Sequence, residues 1–434
     1  MKLLLTDFYH QATERFKTSL KRAEIDLTHV NITYDGWLPE GVHNPISYYL
    51  GYFDAPEKPL HYNQLEVPDF WEIKNSDGAR AEILDGETLK GYVIYQPDTA
   101  RLIREVEWLD LAGNRILTER YNRQGQRFAQ SLFDADGKEM KTLYFNAAGE
   151  KVLTVDGPSK AVILEIPGKT PQVFENFTAF TCHYLRDFGL ERWDEVLFNS
   201  LSTPFFVSNA LSELPGTLYF QEPIRDAIPG NMQTILSGKT PAKRILFENA
   251  KELAKAQKLV TNPGVSMGYL GAIEHFTREN QFRKRALTLT RSDQILYDEG
   301  LAVAMASFQM TWTIAAPSEI SDKLRNFALN HANVTVLEAY PLGDFDKLLA
   351  ENDIYLDLNQ GKDTQNAVQR AYLEGLLVVG DMKTAKNGPY EILLENEKEI
   401  TDVLKAANKQ RSLDFLRSKK GKQASPSDYQ EAFQ

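Results

Sequence analysis

A single cysteine, Cys182, stands among 434 residues. A lone thiol can form neither an internal disulfide nor a thiolate zinc site, and a chain that does without disulfides points to a reducing compartment. Long apolar runs are also missing. No stretch approaches the ~18 consecutive apolar residues of a membrane-spanning helix. The opening Leu3-Leu4-Leu5 stops at Thr6, too short for the core of a signal peptide. A cytoplasmic protein is expected. Basic charge is in deficit: 49 Lys and Arg against 60 Asp and Glu leave a net charge of -11. That excludes the dominant cationic surface needed to neutralise nucleic-acid phosphates. The seven histidines show no close pairing, so no metal cluster is expected.

What is present is ordinary for a globular protein, with 25% charged and 42% hydrophobic residues. At ~150 residues per domain, the length implies about three domains. Phe8, Ala12, Phe16 and Leu20 recur at helical spacing, and Val30 to Tyr34 reads as a strand. Asp35 to Phe53, DGWLPEGVHNPISYYLGYF, is rich in turn formers and aromatics. From about Phe70 the texture changes to strands and tight turns, with Asp77-Gly78 and Asp85-Gly86 as hairpin signals.

The clearest internal repeat follows. Gly113, Gly125, Gly137 and Gly149 recur every 12 residues, each three positions after Asp110, Asn122, Asp134 or Asn146. The Asp or Asn caps a turn through its side chain, and the glycine takes the left-handed conformation that closes it. The seven or so residues left per unit make a strand, and the set makes an antiparallel meander. At equal offsets after the glycines lie an apolar column (Ile116, Phe128, Met140, Val152) and a polar column (Thr118, Gln130, Thr142, Thr154). Side chains two apart share a face. One face is therefore expected to carry both columns, either as a half-solvated surface or as a ligand-binding face built on Thr118, Gln130 and Thr142.

After Gly157 an α/β texture returns. Buried-strand patterns at Ala161–Ile166, Glu195–Ser200 and Gly216–Glu222 lead into regular strand–helix alternation, which means a parallel, doubly wound sheet. The expected plan is α/β, with residues 1–69 and 158–214 forming an N-terminal Rossmann-like lobe. Residues 70–157 form the inserted meander, 215–408 a C-terminal lobe and 409–434 a basic tail.

Several apparent motifs fail on context. Gly238-Lys239-Thr240 and Gly168-Lys169-Thr170 lack the upstream glycine of a P-loop. Gly264-Val265-Ser266-Met267-Gly268 fits the nucleophile-elbow spacing, but a strand pattern rather than a helix follows the serine. His183 beside Cys182 reads as a packed helical pair. No catalytic residue is assigned.

Asp357 to Gly380, DLNQGKDTQNAVQRAYLEGLLVVG, resembles the donor-sugar region of two-lobed GT-B glycosyltransferases of the retaining class. The resemblance implies two glutamates eight residues apart at the donor nucleotide-sugar. Here those positions are Lys362 and Arg370, which cannot accept hydrogen bonds from sugar hydroxyls. In LTRSDQILYDEGL (Leu289 to Leu301) the family's donor-phosphate lysine corresponds to Glu299, while Arg291 matches a basic donor contact. Glu391 and Glu399 are also eight apart but lie in a polar stretch that reads as exposed.

The whole pattern is similar to one family in particular. DFYHQATERFKTSL, DGWLPEGVHNPISYYLGYF, the inserted meander and LTRSDQILYDEGL resemble the stabilising, chaperone-like subunit of the accessory Sec glycosyltransferase complex of Gram-positive bacteria. The resemblance implies a GT-B-like fold and a non-catalytic role, with no cofactor of its own. The implied partner is a catalytic subunit that uses UDP-N-acetylglucosamine to modify Ser and Thr of serine-rich repeat adhesins before export. This chain would stabilise and activate that partner and help hold the acceptor, the two meanders forming a clamp. An active retaining glycosyltransferase using UDP-N-acetylglucosamine at an unusual donor site is the alternative. At the C-terminus, Lys405, Lys409, Arg411, Arg417, Lys419, Lys420 and Lys422, with Leu413, Phe415 and Leu416 interleaved, fit either an anionic membrane surface, with Arg417, Lys419, Lys420 and Lys422 as its candidates, or a solvated helix end.

Overall fold

The computed structural model describes residues 1–433 apart from 54, 77, 78, 98, 100, 387, 407, 408 and 420–422. The turn expected at Asp77-Gly78 lies outside the described residues. The chain divides into two compact units, Met1–Ala272 with Ser425–Gln434, and Ile273–Ala424.

Among the described residues, the first unit holds a seven-stranded parallel sheet and a ten-stranded antiparallel sheet. The parallel sheet runs, in spatial order, Ser266–Tyr269, Ala242–Phe247, Gly216–Phe220, Glu195–Phe198, Lys2–Thr6, Leu27–Asn31, Val42–His43. The middles of its central strands are apolar, as expected where helices cover both faces: Leu3, Leu4, Leu5, Val196, Leu197 and Phe198 are all fully buried. The antiparallel sheet is a simple meander in chain order from Trp71–Asn75 to Gln172–Phe174.

Its turns form as the repeat dictates. Asp110 Oδ1 accepts the backbone N–H groups of Ala112 (2.9 Å) and Asn114 (2.8 Å). Asn122, Asp134 and Asn146 make the same pair of bonds one unit further on each time. Gly113, Gly125, Gly137 and Gly149 take φ values of 84, 76, 76 and 76°.

The segment Asp35–Phe53 anchors the meander to the lobe. Asn44 caps the helix Pro45–Leu50 by accepting Ser47 N–H at 2.9 Å, Pro45 occupies its first turn, and Gly51 ends it at φ 74°. That helix lays Ile46 and Leu50, with Tyr52, against Phe128, Val152, Leu153 and Leu164 of the meander. Trp37 Nε1 donates to Tyr121 O at 3.0 Å, and Tyr52 Oη donates to Phe145 O at 3.0 Å.

The second unit is a six-stranded parallel sheet in the order Val334–Leu337, Thr311–Ala315, Arg285–Leu289, Ile354–Asp357, Leu377–Asp381, Ile392–Leu394. Its core gathers Trp312, Tyr355, Leu356, Tyr372, Val378 and Val379.

Three expected boundaries are corrected. The first lobe continues to Ala272, because Gly216–Phe220 pairs in parallel with Glu195–Phe198, and Ala242–Phe247 and Ser266–Tyr269 extend the same ladder. The meander runs on to Phe174, because Val162–Leu164 and Gln172–Phe174 pair antiparallel to it. Residues 409–434 are not a tail. The helix Lys409–Ser418 buries Leu413 and Leu416 in the second unit. The helix Pro426–Phe433 packs on the first, with Tyr429 Oη 3.2 Å from Tyr219 Oη and Arg244 stacked 5.2 Å from the Phe433 ring centre.

The two kinds of turn glycine separate conformation from crowding. Gly113→Ala is expected to cost about 1–2 kcal/mol for its left-handed backbone alone. Gly125→Ala should cost distinctly more, because its Cβ would also meet Lys58 O at 2.4 Å whereas Gly113 faces open space. Urea unfolding of both variants checks the difference.

Candidate functional site

Open parallel sheets bind ligands beyond the carboxyl ends of their strands, where the strand order switches direction. In the second unit that point lies between Arg285–Leu289 and Ile354–Asp357. The two outgoing chains do not diverge there to leave a crevice. They pair: Leu296 N–H donates to Leu358 O (2.9 Å), Gln360 N–H donates to Gln294 O (2.8 Å), and Ile295 and Asn359 form an antiparallel bridge.

Beside this ladder, Lys386 inserts its ammonium among groups that the strand ends supply. It donates to the Asp357 carboxylate, to Asn359 O at 2.8 Å and more loosely to Asn359 Oδ1 and Thr384 O, both at 3.4 Å. The Lys386 side chain is 6% exposed and that of Asp357 is 0% exposed. Lys386 N–H also approaches Glu391 Oε1 and Asp357 Oδ2, each at 3.2 Å. Glu391 is fully buried against Gly380, where a Cβ would meet its Oε2 at 2.3 Å. Nearby, Asp381 Oδ2 accepts the Tyr297 hydroxyl at 2.9 Å.

The electrostatics follow from burial. Desolvation raises the Asp357 carboxyl above its ordinary pKa, and Lys386 offsets part of that rise. Asp363 is pushed up to about 6, by burial first and by the Asp357 charge second, while the N–H groups of Ala367 and Val368 pull it back. The strand ends thus hold the Asp357 carboxylate on the Lys386 ammonium, with Asp363 close enough to feel the Asp357 charge and Glu391 on the Lys386 backbone N–H.

The residues expected to form a degenerate donor site are spread over the two outgoing chains and the helices that follow them. Arg291 is exposed on the outgoing loop. Glu299 turns to His331, with Nε2 at 2.6 Å. Lys362 is exposed. Arg370 lies along the flank of its helix, bonded to Asp346 (2.6 Å) and Gln365 (2.7 Å) and stacked 4.9 Å from the Phe345 ring centre. Glu391, expected to be exposed, is buried, while Glu399 is a first-turn residue whose N–H Asn396 caps at 3.1 Å. Lys386, Asp357 and Asp363 were missed. The available signal was two apolar strands, Ile354–Asp357 and Leu377–Asp381, each ending on a carboxylate.

The polar column of the meander is also corrected. Thr118 lies opposite Ser131, and Ser131 opposite Thr142, so these three share a face. Gln130, the neighbour of Ser131, points the other way. Each turn of an antiparallel meander reverses the chain, so equal offsets in this register land on alternate faces. The apolar column alternates for the same reason: Ile116 and Met140 are 45% and 40% exposed, whereas Phe128 and Val152 are buried. Thr118, Ser131 and Thr142 are themselves buried. Ser131 Oγ lies 2.5 Å from Thr142 Oγ1, Arg120 donates to Ser131 at 2.9 Å, and Thr142 donates to Glu139 at 2.9 Å. On the opposite face, Gln130 (2.9 Å), Arg127 (2.7 Å) and Trp108 (2.9 Å) all donate to Glu119.

The C-terminal cations are tied inward. Arg417 stacks 4.0 Å from the Phe276 ring centre and lies 3.6 Å from Glu279, and Lys419 donates to Glu391 O (2.6 Å) and Gly388 O (3.2 Å). Lys420 and Lys422 lie outside the described residues. Ser266 opens a strand rather than a turn into a helix. Burial pushes the Cys182 thiol up to about 11, which leaves it protonated. Among the described residues, no cluster of His, Cys, Asp and Glu could hold a metal ion, and no helix is long and apolar enough to cross a membrane.

Comparison with known proteins follows the same divisions. Family profiles described as the GtfB N-terminal, middle and third domains match residues 3–49, 71–175 and 178–259, and one described as the GftB/GlyA-F C-terminal domain matches 286–414. The stabilising protein GtfB of the UDP-N-acetylglucosamine–peptide N-acetylglucosaminyltransferase of Streptococcus pneumoniae is 34% identical over 98% of this chain and 96% of its own length. The Streptococcus gordonii protein of the same name is 33% identical over 89% and 86%. Among solved structures, a chain of the GtfA/B complex bound to UDP and GlcNAc superposes with a TM-score of 0.90 at 30% identity, covering 99% of both chains. The fold is accordingly GT-B-like, with two Rossmann-like lobes and an inserted antiparallel sheet.

Removing the buried ammonium leaves Asp357 without its counter-charge. Lys386→Met is expected to cost about 3–5 kcal/mol at pH 7. A carboxyl whose folded pKa exceeds its unfolded value favours the protonated native state, so stability falls as pH rises through that interval. Asp357 is already raised, and losing Lys386 raises it further. The loss should therefore be much smaller at pH 4 than at pH 7, which urea unfolding at the two pH values checks.

Proposed function

The chain belongs to the family of GtfB stabilising proteins, and from that footing we propose that it is the non-catalytic subunit of a peptide N-acetylglucosaminyltransferase. It stabilises and activates a catalytic partner and holds a Ser/Thr-rich acceptor before export by an accessory Sec system. The partner, not this chain, uses UDP-N-acetylglucosamine. The complex works in the cytoplasm.

The observation that carries this reading is the state of the second unit's switch point. The two outgoing chains are joined by the Leu296–Leu358 and Gln360–Gln294 hydrogen bonds, and beside them the Lys386 ammonium is engaged by Asp357 and Asn359. A donor diphosphate needs free cationic or backbone N–H partners there, and the Lys386 ammonium is already engaged by Asp357 and Asn359 O. The scaffold of a donor-binding lobe is kept while the chemistry for binding the donor is not, which supports a binding and stabilising role. Membrane attachment through the C-terminal cations draws no support from Arg417 and Lys419, which are engaged within the fold.

The test is transfer of labelled N-acetylglucosamine from its UDP donor to a serine-rich repeat peptide by this chain alone, by the catalytic partner alone and by both together. No transfer by this chain and strong stimulation of the partner are expected. Transfer by this chain alone would overturn the proposal.

A further inference from the structure

Two carboxyls of the second unit, Asp357 and Glu391, adjoin where water does not reach. Both residues are 0% exposed. They come from different parts of the chain: Asp357 ends the strand Ile354–Asp357, and Glu391 precedes the strand Ile392–Leu394. The Lys386 backbone N–H lies 3.2 Å from an oxygen of each. The two side chains are also hydrogen-bonded to one another.

An ionised carboxylate has acceptors and no donor. A hydrogen bond between two carboxyls therefore requires a proton on one of them. The Lys386 ammonium donates to Asp357 Oδ1, which makes Asp357 the ionised member and Glu391 the acid. Other titratable groups face the pair from every side. Asp363, on the loop after Ile354–Asp357, interacts with the Asp357 charge and adds to the negative potential. Asp381, ending the strand Leu377–Asp381, is engaged by the Tyr297 hydroxyl and by Lys383 N–H. Lys419, beyond the helix Lys409–Ser418, donates to the backbone oxygens of Gly388 and Glu391. The Tyr355 hydroxyl lies within electrostatic reach of Asp357, Asp363 and Glu391, and burial keeps it protonated.

We propose that Asp357 and Glu391 share one proton at neutral pH, and that this proton is a pH-sensitive latch holding Lys386 and Glu391 to the end of the strand Ile354–Asp357. While it is held, Glu391 donates to Asp357 and Asp357 accepts from Lys386. When it is lost, two buried carboxylates face one another across one backbone N–H, and like charges at that range repel. Glu391 is then driven off the strand end. In the unfolded chain the same glutamate ionises at about pH 4.3. A group that keeps its proton longer in the folded state favours folding at low pH and loses that advantage as pH rises. The second unit is thus firmest on the acid side of neutrality. The inference does not depend on the acceptor-holding role proposed above.

The test uses the full-length chain, with glutamate isotopically labelled at its side-chain carboxyl carbon, and the variants Glu391→Gln and Asp357→Asn. Infrared spectroscopy at pH 7 reads protonated carboxyls, and the isotope shift separates glutamic from aspartic acid. A glutamic-acid band is expected in the unaltered chain. Folded Glu391→Gln loses it because no acid remains there. Folded Asp357→Asn loses it because the Lys386 charge then draws Glu391 into its ionised form. Urea unfolding between pH 5 and pH 7 is followed at fluorine-labelled Trp312, the second unit's own tryptophan. The unfolding constant of the unaltered chain should rise about 10-fold more per pH unit than that of Glu391→Gln. Absence of the band from the unaltered chain would overturn the proposal whether or not a variant folds. So would a band that persists in folded Glu391→Gln, or equal pH slopes in the two proteins. Should neither variant fold, titration of the unaltered chain to higher pH decides. The band must vanish as the Trp312 fluorine resonance shifts, and a resonance unmoved by its loss would overturn the latch.

Discussion

A buried ammonium persists only where carboxylates and carbonyls replace its water, and Lys386 sets this condition for the second unit. To reach Asp357 and Asn359, the chain after the strand Leu377–Asp381 folds back across the strand ends, and Thr384 Oγ1 bonds to Asp357 O at 3.0 Å on the way. Glu391 can approach only because Gly380 has no side chain. The ladder between residues 294–296 and 358–360 then closes the neighbouring crevice. One charge placed internally thus ties residues 384–386 to the end of the strand Ile354–Asp357. The apolar core is built from other residues, so the fold alone does not state what the lobe binds.

The first unit obeys a different constraint, the register of its meander. Opposed residues in an antiparallel pair share a face, and a single residue's shift moves a side chain to the other face. The twelve-residue repeat therefore reproduces its turns faithfully but alternates its faces. Phe128 and Val152 face the helix Pro45–Leu50 and weld the meander to the lobe, while the equivalent Ile116 and Met140 stay half exposed. The same alternation turns Gln130 toward Glu119 and leaves Thr118, Ser131 and Thr142 in a shielded row.

Local signals were legible in the sequence. The Asp/Asn-x-x-Gly turns form within four residues of chain, so their residue types suffice, and strand–helix alternation revealed the two parallel sheets. Long-range facts were not legible. Nothing in Gly216–Phe220 or Ala242–Phe247 states which sheet they join, since an apolar strand suits either lobe, and the expected boundary fell between 214 and 215 instead of near 272. Glu391 sits in a polar stretch, and only the approach of Gly380 and Lys386 buries it. Lys362 and Arg370 were placed by spacing along the chain, but the helix turns Arg370 toward Asp346 and away from the strand ends. The buried Lys386–Asp357 pair and Asp363 carried no spacing signal, because burial and long-range approach alone bring them together.

The most direct test of a sealed donor site is calorimetric titration of UDP-N-acetylglucosamine into the purified chain, with the catalytic partner titrated in parallel. No saturable heat from this chain, against clear binding by the partner, is the expected result. Stoichiometric binding of the nucleotide-sugar by this chain would contradict it.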